Sequence, residues 1–393
     1  MSVAIILGDI HLGKNLSIGK TGLGTNLNSR LIDQTNLLDW VLEKAHEVSC
    51  ENIIITGDIF EDPKAHPNII ALFFSWLKKC QISNVNVHII YGNHDILRTG
   101  TFYTSPLDII YESNFENVFL YKDISTVYIN DTAITMVPFR DRKSFGVDSN
   151  AKALQLLQNN INWELVSIPA HYNKMLVGHL VLEGSIPIGD EIDDITNELF
   201  CPLNMFNGYN YVWMGHVHKP QILQKEPSYI AHIGSMDISN FGETDHKKHI
   251  VLFDLNKKTF TIDYLPTRPL KKISISIPKE VSDTTSFVLS EIDKLDLNKS
   301  IIKMELVLSD NTLQSADKSI IEKKLIEKGV FSVSGIFESK KNQSIIKKEQ
   351  NSSFDSKMDL NSAIKEYAKA YIDDLDRKEF TELALEIAKE LKD

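Results

Sequence analysis

Cysteine is scarce in this chain, with three in 393 residues. Cys50, Cys80 and Cys201 lack the spacing of a metal knot or a redox pair, so reduced thiols in a cytoplasm, or in a host cytoplasm if the chain is virus-encoded, are the default. Long apolar runs are also missing. None approaches the ~20 residues that span a bilayer, so no membrane partner is expected. The first apolar run leads straight into Asp9, so no removable signal peptide is expected. Nor is there a basic excess: Lys and Arg total 42 against 53 Asp and Glu, a net charge of −11. That balance argues at first against nucleic acid, because non-specific DNA binding depends on neutralising phosphates. Total charge is not local charge, however. Arg140, Arg142 and Lys143, then Lys219, Lys247 and Lys248, stand near the motifs below or in loops after strands. They can line a DNA-binding groove or form an ordinary solvated surface.

What the chain does have is five short segments, each placing a metal-binding side chain at the end of an apolar run. They are GDIHLGK at Gly8 to Lys14, GDIFED at Gly57 to Asp62, GNHD at Gly92 to Asp95, VGHLVLEG at Val177 to Gly184, and GHVHKPQ at Gly215 to Gln221. The preceding runs, Val3 to Leu7, Asn52 to Thr56, Val87 to Tyr91, Met175 to Val177 and Tyr211 to Met214, are of strand type. A glycine then lets the backbone turn sharply. Ligands bind outside the carboxyl ends of strands in open α/β sheets, so five such ends can converge on one site. If the extended backbone persists, Asp9 and His11 point the same way, as do His216 and His218.

Together the segments supply Asp9, His11, Asp58, Asn93, His179, His216 and His218, enough ligands for two divalent metal ions. Four imidazoles, two carboxylates and one amide suit manganese, iron or zinc better than magnesium or calcium. Two carboxylates cancel about half the charge of two divalent ions, leaving a cationic site for a phosphoryl group. Metals ~3.5–4 Å apart can serve both the attacking and the leaving oxygen of an in-line displacement, so phosphoester hydrolysis is the expected reaction. His46, His66, His88, His171, His232, His246 and His249 lack this placement, and surface or core roles are expected for them. GKNLSIGKT at Gly13 to Thr21 mimics a phosphate-cradling G-x-x-x-x-G-K-S/T loop, but five residues separate its glycines and no strand immediately precedes it. Lys14 to Asn28 reads instead as a polar loop, either merely solvated or touching substrate phosphates through Lys14, Lys20 or Arg30.

These five motifs resemble those of the calcineurin-like metallophosphoesterases. HLGK, GNHD, VGHLVLEG and the segment IGSMDISNFGETDHKKHIVLFD at Ile233 to Asp254 resemble, more narrowly, the SbcD family of DNA double-strand-break-repair nucleases. The resemblance covers roughly residues 1–265. It implies one metal on Asp9, His11, Asp58 and His218 and another on Asp58, Asn93, His179 and His216, with Asp58 bridging. It also implies that His94 is the non-ligand catalytic histidine, able to stabilise the scissile phosphate or protonate the leaving oxygen. At the position three after Asp58, where relatives carry His or Asp, this chain has Glu61 and then Asp62. Either acid can orient the catalytic imidazole or simply cap a turn. The implied function is a manganese-dependent DNA exonuclease and endonuclease, partner of an SbcC-type coiled-coil ATPase and a homodimer within a heterotetramer. A phosphatase or phosphodiesterase of the same superfamily and a non-catalytic scaffold are the alternatives.

The length calls for more than one domain. Helical patterns at Asn28 to Val48, Pro67 to Cys80, Ser105 to Ser113 and Ser149 to Asn162 alternate with strands, and Tyr211 to Leu265 is mostly strand. The expected fold is a two-sheet α/β/β/α sandwich over 1–268, ended by Pro266, Arg268 and Pro269. A β-α-β-α-β order over 269–339 predicts a small α/β domain, which the resemblance makes a cap that guides DNA. Residues 340–357 read as a flexible linker. Residues 358–393 read as amphipathic helices, either docked on their own chain or attached to the ATPase. In the SbcD family catalytic-domain helices form the dimer, which makes the face of Ile69, Leu72, Phe73, Trp76 and Leu77 a candidate contact, with burial in its own domain the other reading.

Overall fold

The first strand, Val3–Leu7 (β1), is apolar on both faces because both faces are covered. Ile5 and Leu7 pack with residues of two helices, Ser29–Glu47 (α1) and Pro67–Ile82 (α2), whereas Ala4 and Ile6 face a second sheet. The structure, a computed structural model, describes residues 3–21, 27–99, 102–187, 198–309 and 315–340. Beside β1 run Cys50–Ile55 (β2), Asn86–Ile90 (β3) and Val118–Tyr121 (β4), all parallel. The second sheet contains Ser125–Ile129 (β5), Thr132–Val137 (β6), Asn173–Gly178 (β7), Tyr211–Met214 (β8), Gln221–Gln224 (β9) and Tyr229–His232 (β10). Its order is β9-β10-β8-β7-β6-β5. The chain then returns to the first sheet with His249–Asp254 (β11) and Thr259–Tyr264 (β12), giving β12-β11-β1-β2-β3-β4. β11 is antiparallel to β1, with Val3 opposite Asp254.

Ile6, Ile54, Ile90, Met136, Val177, Trp213 and Phe253 fill the space between the sheets. The helix Asn150–Ser167 (α3) covers the outer face of the second sheet through Leu157 and Ile161. The four layers are the expected α/β/β/α. Each fully buried Ile or Leu contributes roughly 1.5–3 kcal/mol, so a core buried on four faces readily holds loops in strained conformations at its edge.

Some elements begin where expected and others depart, each for local reasons. α1 begins where Asn28 caps the Arg30 amide, and α2 where Pro67 takes the first turn behind His66. α3 continues beyond Asn162 to Ser167 although Trp163 and Val166 are exposed, which broke the amphipathic pattern. Ser105 to Ser113 is a capped 3-10 turn followed by the short helix Ile109–Glu112. Of the two readings of the α2 face, burial in its own domain holds for Phe73, Trp76 and Leu77, while Ile69 and Leu72 are partly open.

The described residues divide into two compact units, the first holding those of 3–271, 297–302 and 326–334, the second those of 272–296, 303–325 and 335–340. After the sandwich come Leu270–Ser276 (β13), Thr284–Asp293 (α4), Ile301–Leu308 (β14), Lys318–Glu327 (α5) and Ser332–Lys340 (β15). The three strands form one sheet in the order β13-β14-β15. In the second unit Val288 and Ile292 of α4, Ile321 and Leu325 of α5, and Met304 and Leu306 are buried. The expected linker beyond Lys340 and the helical segment 358–393 lie outside the described residues. Among the described residues no helix is long and apolar enough to cross a membrane.

Candidate metal centre

The five motifs sit where β1, β2, β3, β7 and β8 end. Neighbouring strands deliver them side by side, β1-β2-β3 in one sheet and β7-β8 in the other. Close approach of the loops depends on glycine. Gly57 has φ +103°, and a Cβ there would lie 2.7 Å from both the Gly92 nitrogen and His179 Nδ1. A Cβ on Gly92 would lie 1.9 Å from Asp58 Oδ1. The extended backbone expected to align Asp9 with His11 and His216 with His218 does not persist. His11, Asp58 and His216 adopt left-handed conformations with φ of 48°, 48° and 79°. Such conformations are costly for residues other than glycine and cluster at functional sites.

The turns sort the side chains into two groups. In one, the ligand atoms of Asp9, His11 and His218 lie within 4.8 Å of one another, with His11 Nε2 and His218 Nε2 2.9 Å apart. In the other, Asn93 Oδ1 lies 2.9 Å from both His179 Nε2 and His216 Nδ1, and those nitrogens are 3.1 Å apart. Asp58 Oδ2 faces both groups, 3.4 Å from His11 Nε2 and 3.2 Å from His179 Nε2. These separations fit metal ions, since donors bound ~2.1 Å from one ion at right angles sit about 3.0 Å apart. Paired imidazole nitrogens this close can share only a proton or a cation.

Neighbouring atoms fix the orientation of these groups. The Asp9 carboxylate accepts from the His216 amide at 2.7 Å and the Thr56 hydroxyl at 3.2 Å. His179 Nδ1 donates to the Thr56 carbonyl at 2.7 Å, leaving Nε2 for the group. Asp95, buried, accepts from the Ile59 and Phe60 amides and, through its other oxygen, from the Gly92 amide, tying two motifs together. Glu198 Oε2 lies 2.7 Å from His216 Nε2, off the line of an ideal hydrogen bond. The roles of Thr56, Asp95 and Glu198 were missed in the sequence. Asp95 closes GNHD and was legible as motif only, while Glu198 lies outside every motif.

His94 is half-buried beside the groups, its ring centroid 4.9 Å from that of His11. The Glu61 main-chain carbonyl, not its acid, accepts from His94 Nδ1 at 2.8 Å. The Glu61 carboxylate instead lies 2.8 Å from His11 Nδ1 and 3.1 Å from Lys14 Nζ, and Lys14 is largely buried. Arg140 is engaged with the Phe139 and Lys122 carbonyls and with Asp123. Arg142 is exposed, and Lys219 is half-buried next to His218. Arg30 and Lys248 are corrections: both are 1% exposed, Arg30 bound to Asp237 and Asp33, Lys248 to Glu243, so neither reaches a groove. His88 and His232 are satisfied core imidazoles.

Without an ion the buried charges settle among themselves. Burial raises the Asp58 carboxyl, but His179 and His94 outweigh it and hold it well below the usual range. Burial pushes Asp9 up. It also depresses His11 well below an ordinary imidazole, with Lys14 and His218 adding to the effect. For His179 burial opposes protonation, yet Asp58 and Asp9 prevail and push it up to about 10. A proton therefore occupies His179 at neutral pH, and an incoming metal must displace it. Because this pKa is raised, the proton is lost only as pH rises toward it. Apparent manganese affinity should thus climb as pH rises toward that value. Calorimetric titrations in buffers of different ionisation heat should show one proton released, and metal uptake without proton release would contradict the charge balance.

The chain is 25% identical over 278 residues to the SbcD component of the SbcCD nuclease of Staphylococcus saprophyticus subsp. saprophyticus, covering 68% of this chain and 69% of that protein. It is 24% identical over 348 residues to "DNA double-strand break repair protein Mre11" of Nanoarchaeum equitans, covering 81% and 87%. The model of the calcineurin-like phosphoesterase family matches residues 3–220, the stretch that carries all five strand-end motifs. With more than half its length matched and its His and Asp side chains gathered at those strand ends, the chain belongs to the calcineurin-like phosphoesterase family.

Proposed function

We propose that this protein is a manganese-dependent DNA exonuclease and endonuclease, the nuclease component of an SbcC/SbcD-type complex that processes DNA ends in recombination and double-strand-break repair. The observation that supports it is the single Asp58 oxygen facing both donor groups, as a carboxylate shared by two ions would. The names of the two relatives support DNA as the substrate. Asp9, His11, Asp58 and His218 would hold one ion, and Asp58, Asn93, His179 and His216 the other. When bound, such ions supply an activated water and stabilise charge on the phosphoryl oxygens. His94, held by the Glu61 carbonyl, protonates the leaving oxygen or stabilises the scissile phosphate. In this reading Arg142 and Lys219, neither of them buried, meet DNA phosphates, while Lys14 and Arg140 act from within their ion pairs.

In this reading 1–268 form the nuclease domain, 269–339 a capping domain that guides DNA, 340–357 a linker, and 358–393 the attachment to the coiled-coil base of an SbcC-type ATPase. The working form is a cytoplasmic heterotetramer built on a homodimer. Deleting Lys357 to Asp393 should leave manganese-dependent hydrolysis of short single-stranded DNA intact and abolish ATP-stimulated cleavage of duplex ends. Co-purification with the ATPase is the readout, and undiminished complex formation would move the main contact elsewhere. The function itself is tested by DNA cleavage with manganese against magnesium, with and without the ATPase, beside hydrolysis of p-nitrophenyl phosphate. Manganese-dependent DNA cleavage is expected. Hydrolysis of the small phosphate with none of DNA would overturn the proposal in favour of a phosphatase.

A further inference from the structure

We infer that the buried Glu243–Lys248 pair is a positioning device for His218, fixing its ring and its main-chain carbonyl where the Asp9, His11 and His218 group requires them. The inference rests on the two-metal reading above. Both residues belong to the Ile233 to Asp254 segment, which contributes none of the donors in either group.

Neither side chain meets solvent: Glu243 is 0% exposed and Lys248 1%. Glu243 Oε2 lies 2.7 Å from Lys248 Nζ, and Glu243 Oε1 lies 3.5 Å from His218 Nδ1. Lys248 Nζ also donates to the His218 carbonyl at 2.9 Å and to Ser235 Oγ at 2.7 Å. Its three donors are thereby used, and the Ser235 amide adds a second donor to the same carbonyl at 3.2 Å. Glu243 is itself held by the Ser239 amide at 3.2 Å and Asn240 Nδ2 at 3.0 Å.

The geometry divides the work between the two charges. At 3.5 Å the carboxylate steers the ring by charge, keeping Nδ1 turned toward it. That leaves Nε2 aimed at His11 Nε2, 2.9 Å away. Lys248 holds the carbonyl two residues after His216, whose left-handed backbone would otherwise be free to relax. Burying an ion pair is a poor route to stability, because apolar residues of similar volume commonly serve as well or better. What this pair offers beyond an apolar filling is direction, and the group it directs is His218. Partners behind a ligating histidine typically govern metal affinity by ten- to a hundredfold.

Glu243→Gln alone leaves a buried ammonium without its counter-charge and risks misfolding. The informative variant is therefore Glu243→Leu with Lys248→Met, which removes both charges at similar volume. Manganese titration by calorimetry and thermal unfolding are measured on the full chain. The variant should unfold near the wild-type temperature, with one manganese site weakened about ten- to a hundredfold and the other unchanged. Introduced into His218→Ala, the same pair of changes should cause no further loss, because a positioning residue has nothing left to position. Two sites of wild-type affinity, an added loss in the His218→Ala background, or a chain that no longer folds would each overturn the inference. Failure of the two-metal reading would appear separately, as fewer than two manganese sites in the wild-type protein.

Discussion

Replacing His94 with alanine should leave both donor groups able to bind metal and lower turnover by about 10²–10⁴-fold, the usual contribution of a positioned acid or base. The imidazole donates Nδ1–H to the Glu61 carbonyl, which fixes the ring and its tautomer. Its main chain is tied in separately, by the amide donating to Asp58 Oδ1 at 2.9 Å, so truncating the side chain keeps the loop in place. Burial opposes a charge on this ring, but Asp58 and Glu61 outweigh it and raise its pKa, as a proton donor requires. Two bound dications would push the other way and bring the group back toward neutrality. Single-turnover cleavage by the variant at saturating manganese is the measurement. Normal rates with full metal occupancy would remove His94 from the chemistry.

Asp58→Asn should behave differently, because the change strikes the atom common to both groups. Oδ2 faces His11 on one side and His179 on the other, while Oδ1 receives the His94 amide. An amide is of similar size, so the fold should survive. It carries no charge, however, and one of its two heteroatoms donates where a ligand must accept. Both manganese sites should weaken by at least roughly 10²-fold, with turnover lost as a consequence. Equilibrium dialysis against manganese reads this directly. A variant that still holds two ions tightly would refute the bridging role, and one that loses a single ion would place Asp58 in one group only.

The strand ends were legible because their signal is local. An apolar run, a glycine and a polar side chain describe a buried strand leaving its sheet, and β1 and β8 have the expected bounds, Val3–Leu7 and Tyr211–Met214. β5 was hidden because Ser125–Ile129 shows no clean alternation of buried and exposed residues. β6 was hidden because Thr132–Val137 is buried along its whole length, threonines included. The grouping of His11 with His218 and His216 with His179 follows from left-handed turns, and no pattern of residue types announces a positive φ at His11, Asp58 or His216. The fate of charges was the least legible feature. Arg30 looks like a surface cation until Asp237 meets it from 207 residues away, and Lys248 until the fold buries it against Glu243 of its own segment. Glu198 was hidden because it meets His216 from outside the motifs.

The claim that two donor groups share Asp58 to hold two ions is tested most directly by anomalous X-ray scattering from crystals grown with manganese. Two peaks are predicted about 3.5–4 Å apart. One should be ringed by Asp9, His11 and His218 and the other by Asn93, His179 and His216, with Asp58 touching both. A single peak, or a pair in which Asp58 contacts only one ion, would contradict the account.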